Sequence, residues 1–402
     1  MPDPANAFFP SVARLGLTAV LVGTLGSLAT GARAADPIRV GVALDISGPF
    51  AAGGAETRDA INLAVRLLDG KLGGYPAEFL QADTAGSPDQ ALQAVDRFIQ
   101  QNKISLFTGP TPSNVALAVG PALFAAKVPY ISNNPGPSQY AGPQCNPYFF
   151  GSAYQNDTWD EAAGQHATDQ GYKTAFIIAP NYPAGRDHLT GFKRTFKGSI
   201  ASEVYSKVGQ LDYAAELAQV RALKPSTVYF FLPGAMGINF IKQFVASGLS
   251  KDTVLVTGPA SADEDTIAAV GEPMLGLFSG SQWSHDLSNP ANQRFVAEFR
   301  KAYNRLPTFY AAQAYDTVMA MDAAVREVKG NVADRPALLK ALKSANFASV
   351  RGAFKYDNNN FPIQDYYLRV VGKDAQGRIT NKTVSTVLKA HRDAYHDQCR
   401  MK

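Results

Sequence analysis

The chain has 402 residues, 46% of them apolar and 18% charged, a formal charge of +4 and two cysteines. It is longer than the size at which single hydrophobic cores stop growing, so two domains are expected. A charge this small, with its Lys and Arg scattered, excludes a nucleic-acid binder.

Residues 1–35 read as a secretory signal peptide: Arg14, an apolar run over 15–28, then Ala32-Arg33-Ala34 as a small-residue cleavage site. The run falls short of the roughly 18–20 unbroken apolar residues of a membrane anchor and is interrupted by Gly16, Gly23 and Gly26. A soluble, exported protein is expected, periplasmic or outside the cell. In that oxidising compartment Cys145 and Cys399, an even number, are expected to pair and tie a polar C-terminal tail to the first lobe.

From residue 37 onward, short apolar runs alternate with helical periodicity. Strands are predicted at 37–47, 77–83, 104–107 and 128–132. Helices follow through Ala60, Leu63, Ala64 and Leu67, over 88–101 with Ser87 as N-cap and Pro88 at the first helical position, and over 115–126. After Tyr148-Phe149-Phe150 the rhythm restarts, with strands at 175–179, 227–232 and 253–257 and helices at 159–168, 186–195 and up to Phe244. Long helices are predicted over 290–303 and 310–329 and a shorter one over 336–343. Two late strands, 352–357 and 366–371, are too isolated to form a domain and complete an earlier sheet.

This alternation predicts an α/β fold of two doubly wound parallel-sheet lobes, whose ligands gather beyond the carboxyl ends of the strands. The stretch from Phe107 to Asn114 joins a strand to a helix there. Ser113 or Asn114 can cap that helix, and its free N-terminus suits a carboxylate. The plain alternative is that Ser113 caps its helix and binds nothing. Loops at Gly48, Ser113 and Asn134 share one edge, however, and their convergence favours a site.

Catalytic motifs are missing: there is no Gly-x-Ser-x-Gly elbow, no His-Glu-x-x-His and no phosphate or dinucleotide loop. His166 and His188, on predicted helices, read as surface or lightly packed, and His285 stands alone in a polar loop. On a helix, His391 and His396 point apart, because five residues turn the chain by about 500°. No metal site, cofactor or enzymatic activity is expected.

The Gly-Val-Ala-Leu-Asp-Ile-Ser-Gly-Pro-Phe opening, Thr-Gly-Pro-Thr-Pro-Ser, Ala-Pro-Asn-Tyr-Pro-Ala-Gly and Asn-Pro-Ala-Asn-Gln-Arg-Phe, in that order, resemble the type I periplasmic binding proteins of ABC importers, in the branch of the leucine/isoleucine/valine-binding proteins. The resemblance runs from Pro37 to about Val371. It implies two lobes joined by three crossovers: 36–151 with 283–346, and 152–282 with 347–388, leaving 389–402 as the tail. It also implies closure by hinge motion, a monomer, and an ABC permease in the inner membrane as partner.

Amino-acid-binding relatives hold the ligand carboxylate with a serine at the start of the third helix and with the next strand-end loop, here Ser113 and Asn134, Pro135, Gly136. Tyr154, Tyr182 and Trp283 lie at or opposite the crossovers and could line the cleft. Such relatives pair the ligand ammonium with an acid where this chain has Ala260. Asp263 or Glu264 could substitute, though both fall in the next helix's first turn, where acids are ordinary dipole partners. Gly53 stands where relatives tend to place a bulky aromatic, leaving room for a wider ligand. The implied ligand is an aromatic acid, benzoate-like or phenylpropanoid. The alternatives are a binder of branched-chain amino acids and a periplasmic sensor feeding a signalling system.

Overall fold

The computed structural model describes residues 36–401; the signal peptide expected at 1–35 lies outside the described residues. The β-branched run after Asp36 forms β1 (Ile38–Leu44), nearly all of it buried, and leads into α1 (Ala51–Leu67). A tight hairpin makes β2 (Lys71–Leu72) and β3 (Tyr75–Asp83). The Ser87 hydroxyl accepts from Gln90 N–H at the start of α2 (Pro88–Gln100). The lobe continues through β4 (Leu106–Thr108), α3 (Ser113–Ala125), β5 (Tyr130–Ser132), the single turn α4 (Ser138–Ala141) and β6 (Phe149–Gly151). Its sheet has the order β2-β3-β1-β4-β5-β6, parallel except for β2.

The second lobe repeats the rhythm. It comprises α5 (Thr158–Asp169), β7 (Thr174–Pro180), α6 (Pro183–Thr195), β8 (Ser199–Ser206), α7 (Ala214–Leu223), β9 (Thr227–Phe230), α8 (Ala235–Ala246), β10 (Val254–Thr257), α9 (Glu264–Val270) and β11 (Phe278–Ser281). The chain then returns to the first lobe with α10 (Pro290–Tyr303), α11 (Phe309–Glu327) and α12 (Arg335–Ser344), α11 lying along α1 and β2. It ends in the second sheet with β12 (Lys355–Tyr356), β13 (Pro362–Lys373) and β14 (Ile379–His391).

That second sheet, ordered β12-β13-β11-β10-β9-β7-β8 with β14 on β13, is mixed rather than parallel. β13 runs antiparallel to β11, β12 and β14. The β13–β14 pairing is local: the Asp374 carboxylate takes the N–H groups of Gln376 and Arg378, each at 2.9 Å, and closes a tight hairpin where a parallel strand would need a long crossover. β8 and β14 escape an apolar-run reading because each keeps one face in solvent and carries polar residues there. Residues 389–401 begin inside β14 and are packed on the protein: Arg392 donates to Asp357 and the Tyr395 hydroxyl to Asp157, at 2.7 Å. Cys399 is bonded to Cys145 across a separation of 254 residues.

Three connections cross between the lobes, from β6 to α5, from β11 to α10 and from α12 to β12. They are fastened to one another. Gly151 N–H donates to Asn360 O at 3.0 Å, and Arg351 pairs with Asp316 at 3.0 Å while donating to Ala153 O at 2.7 Å. A buried guanidinium is tolerated there because Asp316 matches its charge and its Nε and Nη1 donors are used. No helix among the described residues is long and apolar enough to cross a membrane.

Candidate functional site

At the carboxyl edge of the first sheet, Asp45 is buried and accepts the N–H groups of Thr111 at 2.6 Å and Gly86 at 2.8 Å, which pins the loop between β4 and α3. Gly109 turns that loop with φ of +86°, and a Cβ there would stand 1.9 Å from Ala43 O, so only glycine fits. Pro112 takes the N-cap position without a side-chain cap, so Ser113 is the first helical residue and does not cap α3. The Ser113 hydroxyl instead accepts from Asn156 Nδ2 at 3.1 Å. The N–H groups of Ser113 and Asn114 are bonded to no described residue, leaving donors and the positive end of the dipole free.

Asn134 lies near the start of the next strand-end loop, between β5 and α4. Its Nδ2 donates to Thr111 O at 2.7 Å, and its Oδ1 accepts from Tyr154 OH at 3.2 Å and Gln313 Nε2 at 2.6 Å. From Tyr154 a wall of rings leads away: Tyr154 to Trp159 at 4.0 Å between centroids, Trp159 to His188 at 4.9 Å, His188 to Phe231 at 3.6 Å. Tyr182 and Phe50, 5.9 Å apart, complete the far side. Together with Ser113, Thr111, Asn156, Ala260 and Tyr310, these residues surround a nearly closed space of about 10 Å³ between the lobes, room for about one water. Burial raises the Tyr154, Tyr182 and Tyr310 phenols above their ordinary values, so their hydroxyls stay protonated.

Ser113, Asn134, Tyr154, Tyr182 and Ala260 thus line one cavity. Four of the other expected residues do not. Trp283 is turned into the hinge, where its Nε1–H donates to Asn292 at 2.7 Å and its ring packs on Phe295. The room expected at Gly53 is filled by Tyr310, whose ring would lie 2.9 Å from a Cβ. Pro135 and Gly136 serve as supports. The Pro135 carbonyl accepts from the Ser132 hydroxyl, and Gly136 donates to Asn156 Oδ1 at 2.9 Å, fixing the amide that reaches Ser113.

The histidines also differ from expectation. His188 and His166 are buried, the latter against the Phe278 ring. His285 is not isolated but lies 2.8 Å from Thr380 Oγ1. His391 ends a strand rather than lying on a helix, and its Nε2 meets Glu161.

Phe50, Asn156, Trp159, Phe231 and Tyr310 line the cavity without having been singled out, and so does His188, which reads from the sequence as surface or lightly packed. Phe231 directly follows β9 and Asn156 lies in the first crossover, positions at strand ends that carry a usable signal. Trp159, His188 and Tyr310 sit within helices, where nothing local marks them.

Charge is confined to the surroundings. No Asp or Glu lines the cavity. Asp263 faces away: it pairs with Arg369 at 3.2 Å and accepts from Phe309 N–H. Glu264 accepts from Asn381 N–H and Thr380 Oγ1, both at 3.0 Å. A wider groove of about 850 Å³ between α9, α10 and β14 is charged and open to solvent, and lies away from Ser113 and the ring wall.

A model of the family described as periplasmic binding protein matches residues 37–376. Among curated proteins, the chain is 26% identical over 384 residues to Leu/Ile/Val-binding protein homolog 6 of Brucella melitensis, covering 93% of this chain and 96% of that one. Among solved structures, it is similar to a solute-binding protein of an ABC transporter from R. palustris in complex with benzoate, with 30% identity, 91% of this chain and 100% of that chain covered, and a TM-score of 0.85. A solute-binding protein from Rhodopseudomonas palustris BisB5 in complex with 3,4-dihydroxybenzoic acid gives 26% identity, 89% and 99% coverage and a TM-score of 0.84.

Proposed function

The chain belongs to the periplasmic binding protein family, in its leucine/isoleucine/valine-binding branch, and from that premise we propose that it is the periplasmic receptor of an ABC importer, a monomer that closes on an aromatic carboxylate and delivers it to a membrane permease. Proteins of this family bind solutes and are not enzymes.

The observation that carries the reading is a cavity walled by aromatic rings, with hydrogen-bond donors at one end and no carboxylate in its lining. A ligand carboxylate fits the free N–H groups at the start of α3 and the Ser113 hydroxyl, which can turn its proton toward an anion while accepting from Asn156. The apolar remainder of the ligand lies against rings, which favour offset and edge-on contact with another ring. An amino acid brings an ammonium as well. Ala260 cannot neutralise it, and Asp263 and Glu264 are committed to Arg369, Asn381 and Thr380. An unpaired cation in a closed cavity costs several kcal/mol, enough to abolish useful affinity. The relatives crystallised with benzoate and with a dihydroxybenzoic acid support the same ligand class.

A thermal-shift screen of the mature protein against benzoates, phenylpropanoid acids, leucine, isoleucine and valine tests the proposal. Stabilisation by aromatic acids is expected. Stabilisation by branched-chain amino acids alone would establish the rival reading that the curated relatives' names suggest.

A further inference from the structure

The C-terminal segment touches both lobes at once. It leaves the second sheet at His391, the end of β14, and is fastened to the first lobe where Cys399 is bonded to Cys145, between α4 and β6. Between those points Asp393 accepts from Asn359 Nδ2 at 2.8 Å, and the same amide donates at 2.9 Å to the carbonyl of Ala141, the last residue of α4. The Tyr395 ring packs on the apolar cluster of the first lobe that holds Tyr140 and Phe149, beside Gly142. Its hydroxyl reaches the other lobe. It donates to Asp157, at the start of α5, at 2.7 Å and accepts from Arg194, near the end of α6, at 3.3 Å. The helices α4 and α6 are also the pair that Ser138 and Asp187 join at their opposite ends. Parting the lobes breaks that Ser138–Asp187 contact, and the C-terminal segment grips the same two helices from the far side.

We propose that residues 392–399 form a strap, a further link between the lobes beside the three crossovers, which the Cys145–Cys399 bond keeps docked and which limits how far the cleft opens. The inference rests on the hinge closure of the proposed function and adds a control to it. Even fully extended, the chain from His391 to Cys399 spans at most roughly 26–29 Å. The bond therefore caps the separation of the lobes on this side. It also keeps Tyr395 tethered beside Asp157 and Arg194, so that redocking is intramolecular and occurs at an effective concentration on the order of millimolar. Without the bond, docking rests on the Tyr395 contacts alone. The open form, which lacks half of the ligand's contacts, then gains population, and apparent affinity falls with the fraction closed.

Small-angle scattering of the ligand-free mature protein, before and after reduction with dithiothreitol, tests the strap, with circular dichroism at the same temperature confirming that the fold is kept. The reduced protein should have the larger radius of gyration, Cys399→Ser should match it without reductant, and reoxidation should restore the smaller value. Tyr395→Phe, which keeps the disulfide and the ring packing, should expand the protein less but in the same direction. Isothermal titration with 4-hydroxybenzoate should show binding weakened about fivefold on reduction, the weight of one hydrogen bond. A bond that only stabilises the fold would lower the melting temperature and leave radius and affinity unchanged. Equal radius and affinity in the oxidised, reduced and Tyr395→Phe proteins would thus overturn the strap. Should reduction unfold the protein, Tyr395→Phe decides alone, since its disulfide is intact. Scattering needs no ligand, so binding of no aromatic acid defeats the proposed ligand class, whereas an unchanged radius defeats this inference.

Discussion

Asp187 in α6 accepts from the backbone N–H of Ser138 at 3.1 Å and from its hydroxyl at 2.8 Å, a direct bond between the two lobes. Asn156, in the first crossover, donates to the same carboxylate at 2.9 Å and to the Ser113 hydroxyl. Lobe closure and the carboxylate end of the cavity are therefore one hydrogen-bonded unit.

Replacing that carboxylate should loosen closure. Asp187→Ala removes hydrogen bonds made to a charged group, worth about 2 kcal/mol, which shifts an open-to-closed equilibrium by about thirtyfold. Titration with a hydroxybenzoate should show weaker binding, and small-angle scattering should show less compaction on adding ligand than in the wild type. Equal affinity and equal compaction would remove this bond from the closing mechanism.

The pair between Asp263 and Arg369 is almost wholly buried. Asp263→Ala leaves the guanidinium without its partner and should destabilise the fold by about 3–5 kcal/mol, read by urea unfolding. Leucine should not stabilise the wild type, since this carboxylate is already in use. A variant as stable as the wild type would mean that Arg369 finds another counter-charge.

Burial pushes the Glu56 carboxyl up to about 7 from an ordinary 4.5, against the pull of Arg305. Between those values the folded state holds a proton that the unfolded chain has lost, so stability falls as pH rises through the window. The effect is bounded at about 1.4 kcal/mol per unit of displacement. Glu56→Gln should thus lose less stability than the wild type between pH 5 and pH 7.5 in urea titrations. The reverse order would mean that Glu56 stays ionised against Arg305.

Cys145 and Cys399 close a loop across 254 residues. Crosslinking so long a loop restricts the unfolded chain and is worth a few kcal/mol in the entropic account. Reductant, or Cys399→Ser, should lower the melting temperature, and native protein should release no thiol before reduction. Two reactive thiols at the outset would refute the pairing.

The alternation of strand and helix is a local property, carried by apolar runs such as that of β1 and by helix starts such as Ser87-Pro88. From it alone the two-lobed α/β fold and the edge bearing Gly48, Ser113 and Asn134 can be read, because loops at strand ends face the cleft wherever the sheet is parallel. β13 and β14 fall outside that logic, since a five-residue turn reverses the chain and the sheet closes antiparallel.

What only the tertiary structure decided concerns partners distant in sequence. Gly53 reads as open space until Tyr310, more than 250 positions later, is packed against it. Asp263 reads as a spare acid until Arg369 reaches it. Trp159 and His188 lie in helices with no local sign of function, since which face of α5 and α6 meets the cleft depends on how those helices dock on the sheet. Helical periodicity tells that a face is buried, whereas what it is buried against, protein or ligand, follows from long-range packing that no window of the chain contains.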